Sequence, residues 1–282
     1  MKRSFLKKLG LAIMGISLFL AAYFAAYAGK AITVKGSDTM LILGQRWAEI
    51  YMNQNPGVTI QVTGGGSGVG IAALINGSTD ICEASRSMKS SEIDKLKERF
   101  NTIGVEIPVA RDGLSIYLNA ENKISELTLD QLRDIYTGKT TNWKDLGGED
   151  TKIVLYGREN SSGTYSYFKD NVLQGLDFAA QTQTLPGTGA IVNAVSKDKF
   201  GIGYGGAAYA KAVKYSKVKK DATTPGYEPT LENIKNGKYP ISRYLYWYLR
   251  NKPTGEIKKF VDFVLSPQGQ EIVTKVGYFP VK

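Results

Sequence analysis

Apolar and polar positions follow one plan that recurs along this chain. A short apolar run gives way to a loop rich in Ser, Thr and Gly, and apolar residues at helical spacing come next. Ala31-Ile32-Thr33-Val34 predicts a strand, Gly36-Ser37-Asp38-Thr39 a loop, and Met40, Leu43, Trp47, Ile50 and Tyr51 the inward stripe of a helix. Val58-Thr59-Ile60-Gln61-Val62 repeats the plan, with a glycine-rich loop over 64–70 and Ile71, Leu74 and Ile75 opening a helix that Asn76-Gly77 stops. Asp80-Ile81-Cys82-Glu83-Ala84 predicts a third strand. It leads into Ser85-Arg86-Ser87-Met88 and a charged helix over 90–100 with Ile93, Leu96 and Phe100 turned inward.

Further on, 107–110 and 114–118 predict two strands around the polar turn Arg111-Asp112-Gly113, which reads as a hinge. Thr128 and Gln131 fit a capping box for a helix carrying Leu132, Ile135 and Tyr136, with Gly138 at its end. Ile153-Val154-Leu155-Tyr156 predicts a buried strand that runs into Arg158-Glu159-Asn160-Ser161-Ser162-Gly163-Thr164. Tyr165, Phe168, Val172 and Leu173 then lie on one helical face. Another helix opens at Thr188, Phe200-Gly201-Ile202-Gly203-Tyr204 predicts a strand, and the lysine-rich stretch 211–220 reads as solvated surface. Thr230 caps a short helix. Residues 241–249 are aromatic and extended, fit to carry the chain back to its first half, and two helices follow. Such alternation implies an α/β protein with mostly parallel sheets, which bind ligands in the loops after their strands.

Composition narrows this picture. The 282 residues are 43% hydrophobic and 22% charged, an ordinary globular balance. Lys2, Arg3, Lys7 and Lys8, an apolar stretch over 9–24 and Ala26-Tyr27-Ala28 predict an export signal over 1–28, with the mature chain starting at Gly29 in the periplasm. An uncleaved anchor is the alternative reading, and without a Cys near the cut no lipid attachment is expected. Losing that segment lowers the formal charge from +10 to about +6, too diffuse an excess to predict a nucleic-acid partner. There is no His, and Cys82 is the only cysteine. Ser-His and Cys-His nucleophiles and thiolate metal clusters are thereby excluded, which argues against an enzyme.

The loop chemistry points to an anion. A helix N-terminus presents unpaired N–H groups and the positive end of the helix dipole. Before the helix at 163, Ser161, Ser162 and Thr164 add hydroxyls, Gly163 permits close approach and Arg158 adds a fixed charge. Plain N-capping explains one such loop equally well. Four of them, at 37–39, 64–68, 85–87 and 158–164, favour an oxyanion site.

These motifs, together with Asn142-Trp143 and Gly201-Ile202-Gly203-Tyr204, resemble the periplasmic phosphate-binding protein of the high-affinity phosphate ABC importer, the PstS type, over essentially the whole mature chain. The resemblance implies a type II periplasmic-binding-protein fold. Two α/β lobes, 29–111 plus 242–282 and 112–241, would be joined by two crossover strands and close over one phosphate. It implies a monomer without cofactor, metal or catalysis that hands inorganic phosphate to a membrane permease. By position, phosphate should meet Thr39, the amide of Met40, Ser67, Arg86, Arg158, Ser162, Gly163 and Thr164, with Ser37, Asp38 and Ser161 close by.

One position departs from the pattern. The best-known members carry Asp where this chain has Arg86. A carboxylate there accepts the proton of HPO4²⁻ and refuses sulfate, whereas Arg only donates. Asp38 is the expected substitute acceptor, with helix capping as its alternative role. Sulfate or another tetrahedral oxyanion is therefore a rival ligand. A secreted phosphatase is the remaining rival, and nothing in the sequence would activate its Ser or Thr nucleophile.

Overall fold

The computed structural model describes residues 31–281, so the export signal expected at 1–28 lies outside the described residues. The first half of the chain builds β1 (Ile32–Gly36), α1 (Leu41–Gln54), β2 (Ile60–Thr63), α2 (Ser67–Asn76), β3 (Ile81–Ala84) and α3 (Ser90–Phe100). A long strand, β4 (Val105–Leu118), leads to β5 (Glu126–Thr128), α4 (Leu129–Tyr136), β6 (Val154–Arg158), α5 (Gly163–Asn171), β7 (Gln183–Leu185) and α6 (Gly187–Lys197). β8 (Gly201–Gly206), β9 (Lys214–Lys219) and α7 (Leu231–Lys235) follow, then β10 (Ser242–Leu249), α8 (Gly255–Leu265) and α9 (Pro267–Val276).

Local chemistry accounts for several boundaries. Thr128 Oγ1 accepts from the Gln131 amide at 3.0 Å while Gln131 Oε1 accepts from the Thr128 amide at 2.8 Å, completing the capping box of α4. Gly77 ends α2 at φ 76°, a conformation that costs glycine little. Ser266 caps α9, and Pro267, which has no N–H to leave unpaired, takes its first turn.

The strands run in the order β2-β1-β3-β10-β4-β8-β6-β7, with β9 joining β4 to β5. Pairs β1–β2, β1–β3, β5–β9, β6–β7 and β6–β8 are parallel. Every antiparallel pair involves β4 or β10. These two strands cross between separate hydrophobic cores. Val109, Ala110, Leu245 and Trp247 pack with α1, β1, α8 and α9, around an edge-to-face Trp47–Trp247 pair at 5.5 Å. Leu114, Ile116, Leu118 and Ile241 pack with α4, α5, β6 and β8, where Phe168 stacks on Tyr204 at 4.1 Å. The result is a two-lobed α/β protein.

Three expectations are corrected. Arg111-Asp112-Gly113 is not a turn between two strands; it lies within β4 and pairs with β10, Asp112 opposite Arg243. A polar triplet reads as a turn only when its polar groups lack partners, and here the second crossover strand supplies them. The bulge in that ladder falls elsewhere, between Leu245 and Tyr246, opposite Pro108, which has no N–H to donate. The stretch 211–220 contains β9, where Ser216 and Val218 are buried while Tyr215 and Lys217 between and beside them are exposed, a period of two hidden by the charge. Phe100 is 38% exposed at the end of α3, while Leu96 is fully buried.

Candidate anion-binding site between the lobes

Polar loops follow β1, β2, β3 and β6, and the fold brings all four to one place between the cores. Ser37, Thr39, Ser67, Ser85, Ser162 and Thr164 are all buried. Within the first lobe, Ser37 Oγ donates to Ser85 Oγ at 2.9 Å, and the Ser85 amide donates to Ser67 Oγ at 3.0 Å. Across the gap, Thr39 Oγ1 and Thr164 Oγ1 are 2.8 Å apart, and the Gly68 amide donates to Ser161 O at 2.8 Å. Glycines make this approach tolerable. A Cβ at Gly163 would lie 2.3 Å from Ser67 Oγ, and one at Gly66, which sits at φ 94°, would lie 2.5 Å from Ser161 O. The lobes are shut, with hydroxyls and helix N-termini facing one another. Ser162 also caps α5, its Oγ accepting from the Thr164 and Tyr165 amides at 3.2 and 3.3 Å.

Charged groups surround these hydroxyls in three pairings. Arg158 is 2% exposed. Its Nη2 donates to Asp38 Oδ2 of the opposite lobe at 3.0 Å and to Glu159 Oε1 at 2.9 Å, and its Nη1 donates to Thr188 Oγ1 at 2.9 Å. Partial burial pushes the Glu159 carboxyl up, but the hydrogen bonds and charge of Arg158 outweigh it and hold Glu159 below its ordinary range. Arg243 forms a second pair, donating through Nε and Nη2 to Asp112 Oδ2 at 3.1 and 2.9 Å, and its Nη2 also reaches Thr164 Oγ1 at 2.9 Å. Arg86 forms the third, a two-pronged pair with Glu92 at 2.8 and 2.7 Å. Beside Arg243 a groove of about 440 Å³ opens between the lobes, lined by Arg86, Tyr167, Asn171 and Tyr246 among others.

Of the residues expected to meet the ligand, Thr39, Ser67, Ser162, Gly163 and Thr164 come together, with Ser37 and Ser161 adjoining; Arg158, expected to meet it directly, lies beside them with its guanidinium on Asp38, Glu159 and Thr188. Two expectations need correcting. The head of Arg86 is turned onto Glu92 and Ser87 O, because Glu92 also accepts the Lys89 amide and anchors that guanidinium at the start of α3. Asp38 does not stand free as an acceptor. Its Oδ1 takes the Gly65 amide at 2.8 Å and its Oδ2 takes Arg158, making it part of a latch between lobes. Met40 is buried, and its amide donates to Ser37 O at 2.9 Å. Sequence reasoning missed Asp112, Arg243, Thr188 and the specific role of Ser85. Arg243, a charged residue inside an otherwise aromatic and apolar extended run, was the available signal for the second of these.

The PBP superfamily domain model matches residues 25–268 of the chain. The phosphate-binding protein PstS of Pseudomonas aeruginosa is 36% identical over 87% of this chain and 81% of its own length. That of Bacillus subtilis is 32% identical over 90% and 82%. The chain belongs to the PstS family of phosphate-binding proteins. Solved structures agree on the fold. A chain from Clostridium perfringens with bound phosphate superposes with a TM-score of 0.81 at 33% identity, covering 90% of this chain and all of that one. An ABC-type phosphate transport receptor from Vibrio cholerae gives 0.71 at 31% identity, covering 88% and 99%. The architecture is thus the two-lobed one of PstS-family binding proteins.

Proposed function

We propose that this protein captures inorganic phosphate between its two lobes outside the cytoplasm and delivers it to the permease of an ABC importer. The observation that carries this reading is the convergence of four strand-to-helix loops, with buried hydroxyls from both lobes meeting at Thr39 and Thr164. Kinship with proteins named for phosphate binding, and with a relative solved around phosphate, supports the ligand. Thr39, the Met40 amide, Ser67, Ser162, Gly163 and Thr164 surround the anion, with Arg158 latching the lobes beside it. Closure is favoured because the ligand can touch both sets of loops only when they are shut.

The lobes comprise 29–111 plus 242–282 and 112–241, a division supported by the change of hydrophobic core along β4 and β10. The protein works as a monomer, without catalysis or nucleic acid, in the periplasm after export on residues 1–28. Titration calorimetry on protein stripped of anion tests the ligand. Tight uptake of phosphate with weak uptake of sulfate is expected; the reverse order would assign the site to sulfate. Release of phosphate from an ester substrate in a colorimetric assay would refute the non-enzymatic role.

A further inference from the structure

Arg243 and Asp112 lie opposite each other on the two strands that join the lobes, both buried. Asp112 is fully occupied: Oδ2 accepts Nε and Nη2 of Arg243, and Oδ1 accepts the Ala207 amide at 3.1 Å. The remaining hydrogen of Arg243 Nη2 goes to Thr164 Oγ1 at 2.9 Å. Its Nη1 is buried with no hydrogen-bond partner. Tyr167 covers the guanidinium, ring centroid 5.2 Å from Cζ.

This arrangement fixes a direction. A guanidinium only donates, so Thr164 Oγ1 must accept from Arg243 and send its own proton elsewhere. Thr39 Oγ1, 2.8 Å away, is the acceptor within reach of that proton. With an anion between the lobes it goes to an anion oxygen instead. The two other arginines near the loops have both of their terminal nitrogens engaged, Arg158 by Asp38, Glu159 and Thr188, and Arg86 by Glu92 and Ser87 O. Arg243 alone of the three has a wholly unpaired terminal nitrogen, and an unpaired buried donor is costly unless something accepts from it.

We propose that Arg243, clamped by Asp112, is a positioning residue of the ligand site: it turns the Thr164 hydroxyl toward the bound anion and offers Nη1 to the same anion. The proposal rests on the phosphate reading above. Because the pair bridges β4 and β10, it also ties the geometry of the crossover strands to that of the site.

Removing Arg243 alone strands a buried carboxylate, so the test uses Asp112→Asn/Arg243→Gln, which keeps the shapes and leaves no buried charge. Inorganic phosphate is titrated calorimetrically into wild type and variant, and ligand-free melting reports on folding. The expected result is near-normal melting with phosphate affinity lowered about 10- to 150-fold, the range for one lost charge-assisted hydrogen bond. Arg243→Lys should fall between the two. In a Thr164→Val background the loss caused by Asp112→Asn/Arg243→Gln should shrink at least several-fold, which a purely structural role would not produce. Affinity within twofold of wild type in the double variant, or equal losses with and without the Thr164 hydroxyl, overturns the proposal. Wild type that binds no phosphate overturns the phosphate reading and this proposal together.

Discussion

Gly163→Ala separates closure from folding. Gly163 opens α5, where an added methyl suits the helix and stabilises it by as much as about 1 kcal/mol. The backbone there is not left-handed, so no local strain opposes the change. The added Cβ, however, would stand 2.3 Å from Ser67 Oγ and 2.7 Å from Ser85 Oγ, both of the opposite lobe, about 1 Å short of ordinary contact. Those hydroxyls cannot swing away freely, since Ser67 Oγ accepts the Ser85 amide and Ser85 Oγ accepts from Ser37. Overpacking of this kind costs about 1–3 kcal/mol, charged here to the shut state alone. Phosphate affinity should therefore fall about 5- to 150-fold, while the ligand-free protein melts at the same temperature or higher. Small-angle scattering with saturating ligand should show a less compact molecule than wild type. Unchanged affinity together with unchanged melting would refute the idea that binding requires this close approach.

Three further perturbations probe the surrounding charges. Asp38→Asn removes one arm of the latch to Arg158 and should weaken phosphate and sulfate binding by similar factors, a few-fold each; a change confined to their ratio would restore Asp38 as the proton acceptor. Arg86→Gln should leave phosphate affinity within about threefold, since its guanidinium is spent on Glu92, and a large loss would return it to the site. Burial pushes Glu83 from 4.5 up to about 8, against a smaller opposing effect of the Trp247 Nε1 hydrogen bond. The folded protein then holds a proton that the unfolded chain has lost between these values, so stability falls as pH rises through that window, by up to about 1.4 kcal/mol per unit. Glu83→Gln should flatten urea-unfolding stability between pH 5 and 8 relative to wild type; parallel curves would contradict the assignment.

The loops were legible because each is a local event: an apolar strand, a run of small polar residues and a helix stripe lie within about twenty positions of one another. Thr39, Ser67 and Thr164 could thus be expected to converge from the sequence alone. What each side chain faces depends on partners far along the chain, and that was not legible. Asp112 reads as a turn residue until Arg243, 131 positions away, is seen opposite it. Asp38 reads as an acceptor until Arg158 crosses from the other lobe. Arg86 was the nearer miss, for Glu92 stands three residues after Lys89 where a capping box would put it, and that carboxylate claims the guanidinium. β9 failed for another reason: its lysines masked an alternating burial pattern that only the β4 and β5 edges make sense of.

A crystal structure of the protein purified without added ligand tests the central claim most directly. The expected result is a tetrahedral anion, shown to be phosphate by mass spectrometry of the same preparation, held between Thr39 and Ser67 on one side and Ser162 and Thr164 on the other. An anion bound outside these loops, or a phosphate-saturated protein whose cleft stays empty, would contradict it.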